Sequence, residues 1–464
     1  MTNDSRHDAQ PALAALPADF RFGVATAAYQ IEGGVHEGGR GTSIWDTFSH
    51  TPGNTKRGDN GDIACDHYHR WASDFDLMAG LGIRDYRLSL SWTRLQPTGR
   101  GPLNQEAVAF YRELLEGLQT RGIRAAVTLY HWDLPQTLED EGGWPNRATA
   151  YAFADYADQT TRALGQLAED WITLNEPWCS SFLGYGRGAH APGRTNWTEA
   201  TAAAHHINLA HGLAVAKIRE RSPNLKLGIA NLITDIRPRT SSPEDQQAAA
   251  RLDAFNNRIF LDPVYTGDYS ETVRATFKEY GLAEAIKEGD LDLISQPTDF
   301  IGVNHYQRVI AWHEDGAFLD IGEKPAEPAT TSFGWSVIPD SLASVLKRVK
   351  NEFTDLPIYI TENGASFDDY VDPNGEVNDT DRVDYFRGYL GAVAEAVTSG
   401  VDVRGYYAWS FLDNYEWAEG YGKRFGMVFV DYRTQDRIPK LSAHWYRQTI
   451  AAHRTGSANA AALV

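Results

Sequence analysis

The sequence predicts an α/β protein folded as a single (β/α)8 TIM barrel with long βα loops. Three observations predict it. Short β-prone runs alternate with helical patterns along nearly the whole chain, and counted from Phe22 there are eight such runs. The runs are mostly apolar, as strands of a parallel sheet covered on both faces must be. Eight such units close into a barrel that binds ligands at the C-terminal ends of its strands. By length alone, 464 residues suggest about three domains. No Pro/Ser-rich linker and no shift in composition divides them, so we expect a flexible tail over 1–16, one barrel over 17–452 and a second tail over 453–464. Two doubly wound domains are the alternative, but neither half carries a GxGxxG or P-loop pattern.

The stretch from Arg21 to Gly33 reads as a first strand running into a Gly-broken loop that holds Gln30. A polar loop from Gly38 to Asp62 precedes a helical pattern from Tyr68 to Leu81, whose Trp71, Phe75, Leu77 and Met78 share a face. The second strand spans Asp85 to Trp92 with Arg87 inside it, and a guanidinium aimed into a barrel needs a carboxylate to offset its desolvation. After a helix from Val108 to Gln119, the strand Ile123 to Tyr130 ends at His131-Trp132-Asp133-Leu134-Pro135. The helix Ala150 to Leu167 leads into Trp171-Ile172-Thr173-Leu174, which delivers Asn175 and Glu176 before Pro177 blocks further pairing. A helix from Thr198 to Arg219 and strands at Leu225 to Asn231 and Asp299 to Tyr306 follow. After helix Ser341 to Phe353, Pro357 opens the run Ile358-Tyr359-Ile360, which Asn363-Gly364 ends, so Glu362 stands at the strand's C-terminal end. Helix Asp381 to Thr398 and strand Val403 to Ser410 complete the series. Long loops are expected after strands one, four, six and eight.

A net charge of −19 disfavours nucleic acid and anionic membranes as partners. The first ten residues lack the basic start and apolar core of a signal peptide, and no run approaches the ~20 apolar residues of a membrane span, so a cytoplasmic location is expected. Cys65 and Cys179 are the only cysteines, too few for a disulfide framework or a metal site. Cys179 reads as a free structural thiol. The His67-x-His69 spacing on a helix points the rings apart, and Gly184-x-Gly186-x-Gly188 reads as a loop rather than a phosphate cradle. No metal and no cofactor is expected.

The strand ends read Gln30, Arg87, His131-Trp132, Asn175-Glu176, Asn304-x-Tyr306, Glu362 and Trp409, with Glu416-Trp417 and Phe425 in the last loop. A barrel gathers these scattered positions onto one rim. Two strand-end glutamates that converge across its mouth are the equipment for cleaving a glycosidic bond. The aromatic excess, 13 Trp and 22 Tyr, fits sugar rings whose flat C–H faces pack on indole, or equally large packed interfaces.

From about Phe20 to Trp445 the chain resembles the family-one glycoside hydrolases, the β-glucosidase family. The resemblance rests on Thr173-Leu174-Asn175-Glu176-Pro177 and Ile360-Thr361-Glu362-Asn363-Gly364. Gln30-Ile31-Glu32-Gly33, Arg87 to Trp92, His131 to Pro135, Trp409 to Trp417 and Arg424-Phe425-Gly426 support it in order. It implies a retaining mechanism with Glu176 as acid/base and Glu362 as nucleophile, the latter kept ionised by Arg87 and Tyr306. It further implies a first sugar held by Gln30, His131, Asn175, Glu416 and Trp417 over a Trp409 floor, with Trp132, Asn304, Tyr306 and Phe425 also at the substrate. Trp335 in the sixth loop would be a platform for the leaving group. The family's usual Asn-Tyr-Tyr appears here as Asn304-His305-Tyr306. Glu416 would repel phosphate, against a 6-phosphosugar substrate, and the retained Glu176 argues for O-glycosides over thioglycosides. The implied substrates are small β-glucosides and cello-oligosaccharides, with tolerance for β-galactosides or β-fucosides and a part in cellulose degradation. Transglycosylation and a sugar-binding protein on the same scaffold are the alternatives, and the oligomeric state stays open.

Overall fold

The computed structural model describes residues 13–328 and 331–456. Its eight parallel strands are β1 (Arg21–Ala25), β2 (Asp85–Ser89), β3 (Arg124–Tyr130), β4 (Asp170–Asn175), β5 (Lys226–Leu232), β6 (Phe300–Asn304), β7 (Ile358–Asn363) and β8 (Val403–Trp409). They close in sequence order, with β1 hydrogen-bonded to both β2 and β8. A TIM barrel is therefore the architecture, and each expected strand is one of its staves.

Two apolar layers hold it. The larger lies between strands and helices. The smaller fills the barrel itself, with Ala25, Ala126, Ile172, Ala230, Phe300, Tyr359, Tyr407 and Trp409 from seven staves. Arg21 closes the bottom, bonded to Asp170 and 5.2 Å above the Tyr359 ring. Gly302 is small for a reason: a Cβ there would lie 2.9 Å from Thr361 Oγ1 and 3.0 Å from the Ala230 Cα. The close approach it permits sets Asn304 opposite Glu362 in the register between β6 and β7.

Several local expectations need correction. The second strand ends at Ser89, and Trp92 instead begins a short helix, Trp92–Leu95, its buried ring stacked on Tyr156 at 5.0 Å. Gln30 sits in a helical turn, Ala28–Ile31, rather than a loop. The polar stretch from Gly38 to Asp62 contains a helix, Ile44–His50, started by a capping box between Ser43 and Asp46. Gly184 and Gly186 belong to a wide helical segment, Cys179–Gly186; a Cβ on Gly184 would meet the Ala191 carbonyl at 2.7 Å. Close packing, not looping, explains those glycines. Arg308–His313, Ile321–Pro325 and Asp235–Pro238 form a three-stranded sheet beside the barrel mouth. The connection from β5 to β6, not among those anticipated as long, is longer than the ones after β1, β4 and β6 and carries helices, including Pro243–Asp253 and Ile259–Tyr265.

Of the expected tails, 1–12 and 457–464 lie outside the described residues. The folded body reaches past both expected limits: Leu16 is buried, Leu13 packs on the core and the last helix is Leu441–Thr455. No helix among the described residues is long and apolar enough to cross a membrane.

Candidate active site

Each carboxylate is carried to the barrel mouth by its own stave. Glu362 is the fifth residue of β7, fixed in extended backbone and only 3% exposed. Glu176 follows the last residue of β4 and turns away with φ 45°, a left-handed conformation that costs a non-glycine residue about 1–3 kcal/mol. Trp132 (φ 79°) and Trp417 (φ 51°) share that strain and line the same space. The fold, not local preference, holds these three backbones.

The space is a cavity of about 560 Å³. His131, Trp132, Glu176, Tyr306, Trp335, Glu362, Trp409, Glu416, Trp417 and Phe425 line it. The other four expected site residues stand behind this wall, all buried: Gln30, Arg87, Asn175 and Asn304. They are joined to it by hydrogen bonds. Arg87 Nη1 donates to Glu362 Oε1 at 2.5 Å and Arg87 Nη2 to Asn175 Oδ1 at 2.6 Å. The Tyr306 hydroxyl donates to Glu362 Oε2 at 2.6 Å. Asn304 Nδ2 donates to Glu176 Oε1 at 2.8 Å and to Asn175 Oδ1 at 3.0 Å, while its own Oδ1 accepts from Thr361 Oγ1 at 2.6 Å. With both ends of its amide engaged by protein, Asn304 supports the carboxylate rather than facing into the cavity. Gln30 Nε2 donates to Asn414 Oδ1, to the Tyr415 carbonyl and, at 3.3 Å, to Glu416 Oε2.

Among the expected site residues, two buried polar atoms remain available. Asn175 Nδ2 donates to His131 Nε2 at 3.1 Å, so that nitrogen accepts and the imidazole carries its proton on Nδ1. Burial, then the Arg87 charge, holds the ring's pKa well below its usual value, which keeps it neutral. His131 Nδ1 and Gln30 Oε1 are buried and find no hydrogen-bond partner among the described residues. One donor and one acceptor held ready in an aromatic pocket suit a ligand rich in hydroxyl groups. The ring of His131 is stacked with Trp409 at 5.9 Å and with Trp417 at 6.0 Å. Across the cavity Trp335 lies against Phe333 at 4.4 Å and Tyr306 at 5.3 Å, with Phe425 at 6.1 Å.

The carboxylates differ in charge. Burial raises both. Arg87 and the Tyr306 hydroxyl pull Glu362 back toward ionisation. Glu176 has no cation at bonding distance among the described residues, and burial together with the Glu362 charge pushes it up to about 8. At neutral pH the proton of the pair therefore sits on Glu176. Glu416 is also pushed up to about 8, by burial and then by the charges of Glu362 and Glu176. The expected repulsion of phosphate by Glu416 thus reaches full strength only above that pH.

Sequence reasoning missed three contributors. Thr361 orients Asn304, Phe333 extends the aromatic wall, and Cys179 donates to Glu176 Oε2 at 3.2 Å. Only Cys179 had a usable signal, its position three residues after Glu176 at the start of a helical turn. Among the described residues no group of His, Cys, Asp and Glu is arranged to hold a metal. His67 is occupied by Asp74, and His69 by Asp66 and Glu37.

Comparison with known proteins agrees with this geometry. The model of glycosyl hydrolase family 1 matches residues 13–455. Beta-glucosidase A of Thermotoga maritima is 43% identical over 94% of this chain and 97% of its own length. A bifunctional beta-D-glucosidase/beta-D-fucosidase of Bifidobacterium breve is 44% identical over 94% of this chain and 98% of its own. The solved structure of the Thermotoga maritima beta-glucosidase with deoxynojirimycin superposes with a TM-score of 0.92 at 42% identity, covering 94% of this chain and 99% of that one.

Proposed function

The chain belongs to glycosyl hydrolase family 1, and from that premise we propose how its residues divide the work of cleaving a β-glucosidic bond. It is a retaining β-glycosidase that removes terminal non-reducing β-D-glucosyl residues through a covalent glycosyl-enzyme intermediate. In the first step Glu362 attacks the anomeric carbon while Glu176 protonates the departing oxygen. The observation that carries this assignment is the asymmetry of the two buried acids: of the pair, Arg87 and Tyr306 bond Glu362 and not Glu176, leaving Glu176 as the group with a proton to give. Once Glu362 is esterified its charge is gone, the pKa of Glu176 falls, and the ionised Glu176 accepts a proton from the attacking water.

Binding follows from the same wall. The Nδ1–H of His131 and the Oε1 of Gln30 meet hydroxyls of the sugar, with Glu416 beside Gln30 and the Trp409 and Trp417 rings against the sugar's C–H face. The second N–H of Asn175 is directed to the 2-hydroxyl, a contact that strengthens as the oxocarbenium-like transition state forms. Trp335, Phe333 and Phe425 receive the leaving group. The substrates we propose are small β-glucosides and cello-oligosaccharides, with β-fucosides or β-galactosides tolerated because one epimeric hydroxyl alters only one or two hydrogen bonds. We further propose that the barrel and its loops act as one catalytic unit, with a cytoplasmic role in the breakdown of cellulose-derived sugars. Two buried, unpaired thiols suit a reducing compartment.

Azide rescue tests the roles. Glu362→Gly is expected to lose hydrolysis of an aryl β-glucoside and regain turnover with azide, giving the α-glucosyl azide. Rescue that yields only the β-azide would exchange the two assignments.

A further inference from the structure

The proton on Glu176 can be assigned to one oxygen. Arg87 Nη2 can only donate, so the Asn175 side-chain atom 2.6 Å away is the amide oxygen. That oxygen also faces an amide atom of Asn304 at 3.0 Å, which must then be nitrogen, consistent with Thr361 donating to the other end of the Asn304 amide. The Asn304 nitrogen in turn donates to Glu176 Oε1 at 2.8 Å. Of the two donors that Glu176 meets, this N–H is far stronger than the Cys179 S–H at Oε2, so Oε1 is the carbonyl oxygen of the acid form. The transferable hydrogen therefore resides on Oε2.

The neighbour of Oε2 is Cys179 Sγ, 3.2 Å away. The contact is built into the backbone: Glu176 turns through its left-handed conformation, and the Cys179 N–H closes back onto the Glu176 carbonyl at 3.0 Å. The thiol is buried, and burial with the charge of Glu176 pushes its own pKa well above the ordinary thiol range, so it stays S–H. The groups facing Glu176 are Glu362 from β7, Arg87 from β2, Asn304 from β6, Tyr306 and Glu416 from the loops after β6 and β8, and Cys179 itself.

We propose that Cys179 is a positioning residue for proton transfer, its weak S–H bond holding Oε2 toward the substrate and favouring the ionised form of Glu176 just enough for the acid to give up its proton and accept one back. An S–H donates to a carboxylate more strongly than to a protonated oxygen, which eases ionisation. A hydroxyl in its place donates more strongly and drives Glu176 toward ionisation before substrate arrives. A methyl leaves Oε2 without this donor and holds the proton too tightly. The thiol lies between these extremes.

The inference rests on the assignment of Glu176 as the acid, and the test separates the two. The pH dependence of kcat/KM is measured for the native enzyme, Cys179→Ala, Cys179→Ser and Glu176→Gln on an activated aryl β-glucoside and on one with a poor leaving group. Glu176→Gln is expected to abolish the basic limb. Cys179→Ala is expected to move that limb upward and Cys179→Ser downward, each by about half a pH unit or more. A limb that vanishes with Glu176 yet stays fixed in both cysteine variants, or moves the same way in both, overturns the role of Cys179 alone. A limb that survives in Glu176→Gln even when Glu416, the other acid pushed up to about 8, is also changed to Gln overturns the acid assignment and this inference with it. Thermal unfolding of each variant checks the fold; the near-isosteric Cys179→Ser carries the test if the alanine form does not fold.

Discussion

Glu176 and Glu362 are chemically the same side chain, and their neighbours set them apart. With Glu176 pushed up to about 8, the rate on a poor leaving group is expected to decline as pH rises through that value, because the acid loses its proton. Glu176→Ala should lower that rate by about 10² to 10⁴ while costing much less on an activated leaving group that departs without protonation. Equal losses on both, measured by steady-state kinetics, would contradict proton donation. Glu416 allows a separate test of stability. Its pKa lies at about 8 in the folded protein against an ordinary 4.5, so the stability it contributes is fully present below 4.5 and is lost as pH rises through 8. Glu416→Gln should therefore gain on the native protein in thermal unfolding between those limits, and a difference in melting temperature that is constant with pH would refute it. The glutamates were legible because strand-ending residues interrupt apolar runs. Thr361 and Phe333 were not, since a lone hydroxyl or phenyl gains meaning only from a neighbour brought by another stave.

At the level of elements, β6 and β7 are spaced by Gly302, whose missing side chain leaves room for Thr361 and Ala230. Gly302→Ala is expected to cost about 1–3 kcal/mol of stability by overpacking, and to lower kcat by displacing the Thr361–Asn304–Glu176 chain of hydrogen bonds. Denaturant unfolding and kinetics together check this; a stable variant with native kcat would show that the spacing is not critical. The eight staves were legible because their short β-prone runs are mostly apolar and flanked by helical periodicity. The sheet of Arg308–His313 and Ile321–Pro325 was not, because its strands are short, half exposed and mixed in polarity. Ser43-x-x-Asp46 did carry a helix-start signal, obscured by the glycines around it.

Across the whole molecule, the loops that follow β7 and β8 are tied together by buried charge. Lys440 Nζ, with no exposure, donates to Asp413 at 2.8 Å and Asp369 at 2.5 Å, and Arg382 bonds Asp379 and Asp369 from the same side. Lys440→Met would remove one of two cations from each carboxylate, Asp369 keeping Arg382 and Asp413 keeping Arg424, and is expected to cost about 1–3 kcal/mol in chemical unfolding. A loss below 1 kcal/mol would mean the network is replaceable. In the mechanism we propose, this architecture brings two acids from distant parts of the chain over one sugar. The anomer of the first glucose released from an aryl β-glucoside, followed by NMR before mutarotation, decides whether they act in two displacements. β-Glucose formed first is the expected result; α-glucose formed first would mean a single inverting displacement by water.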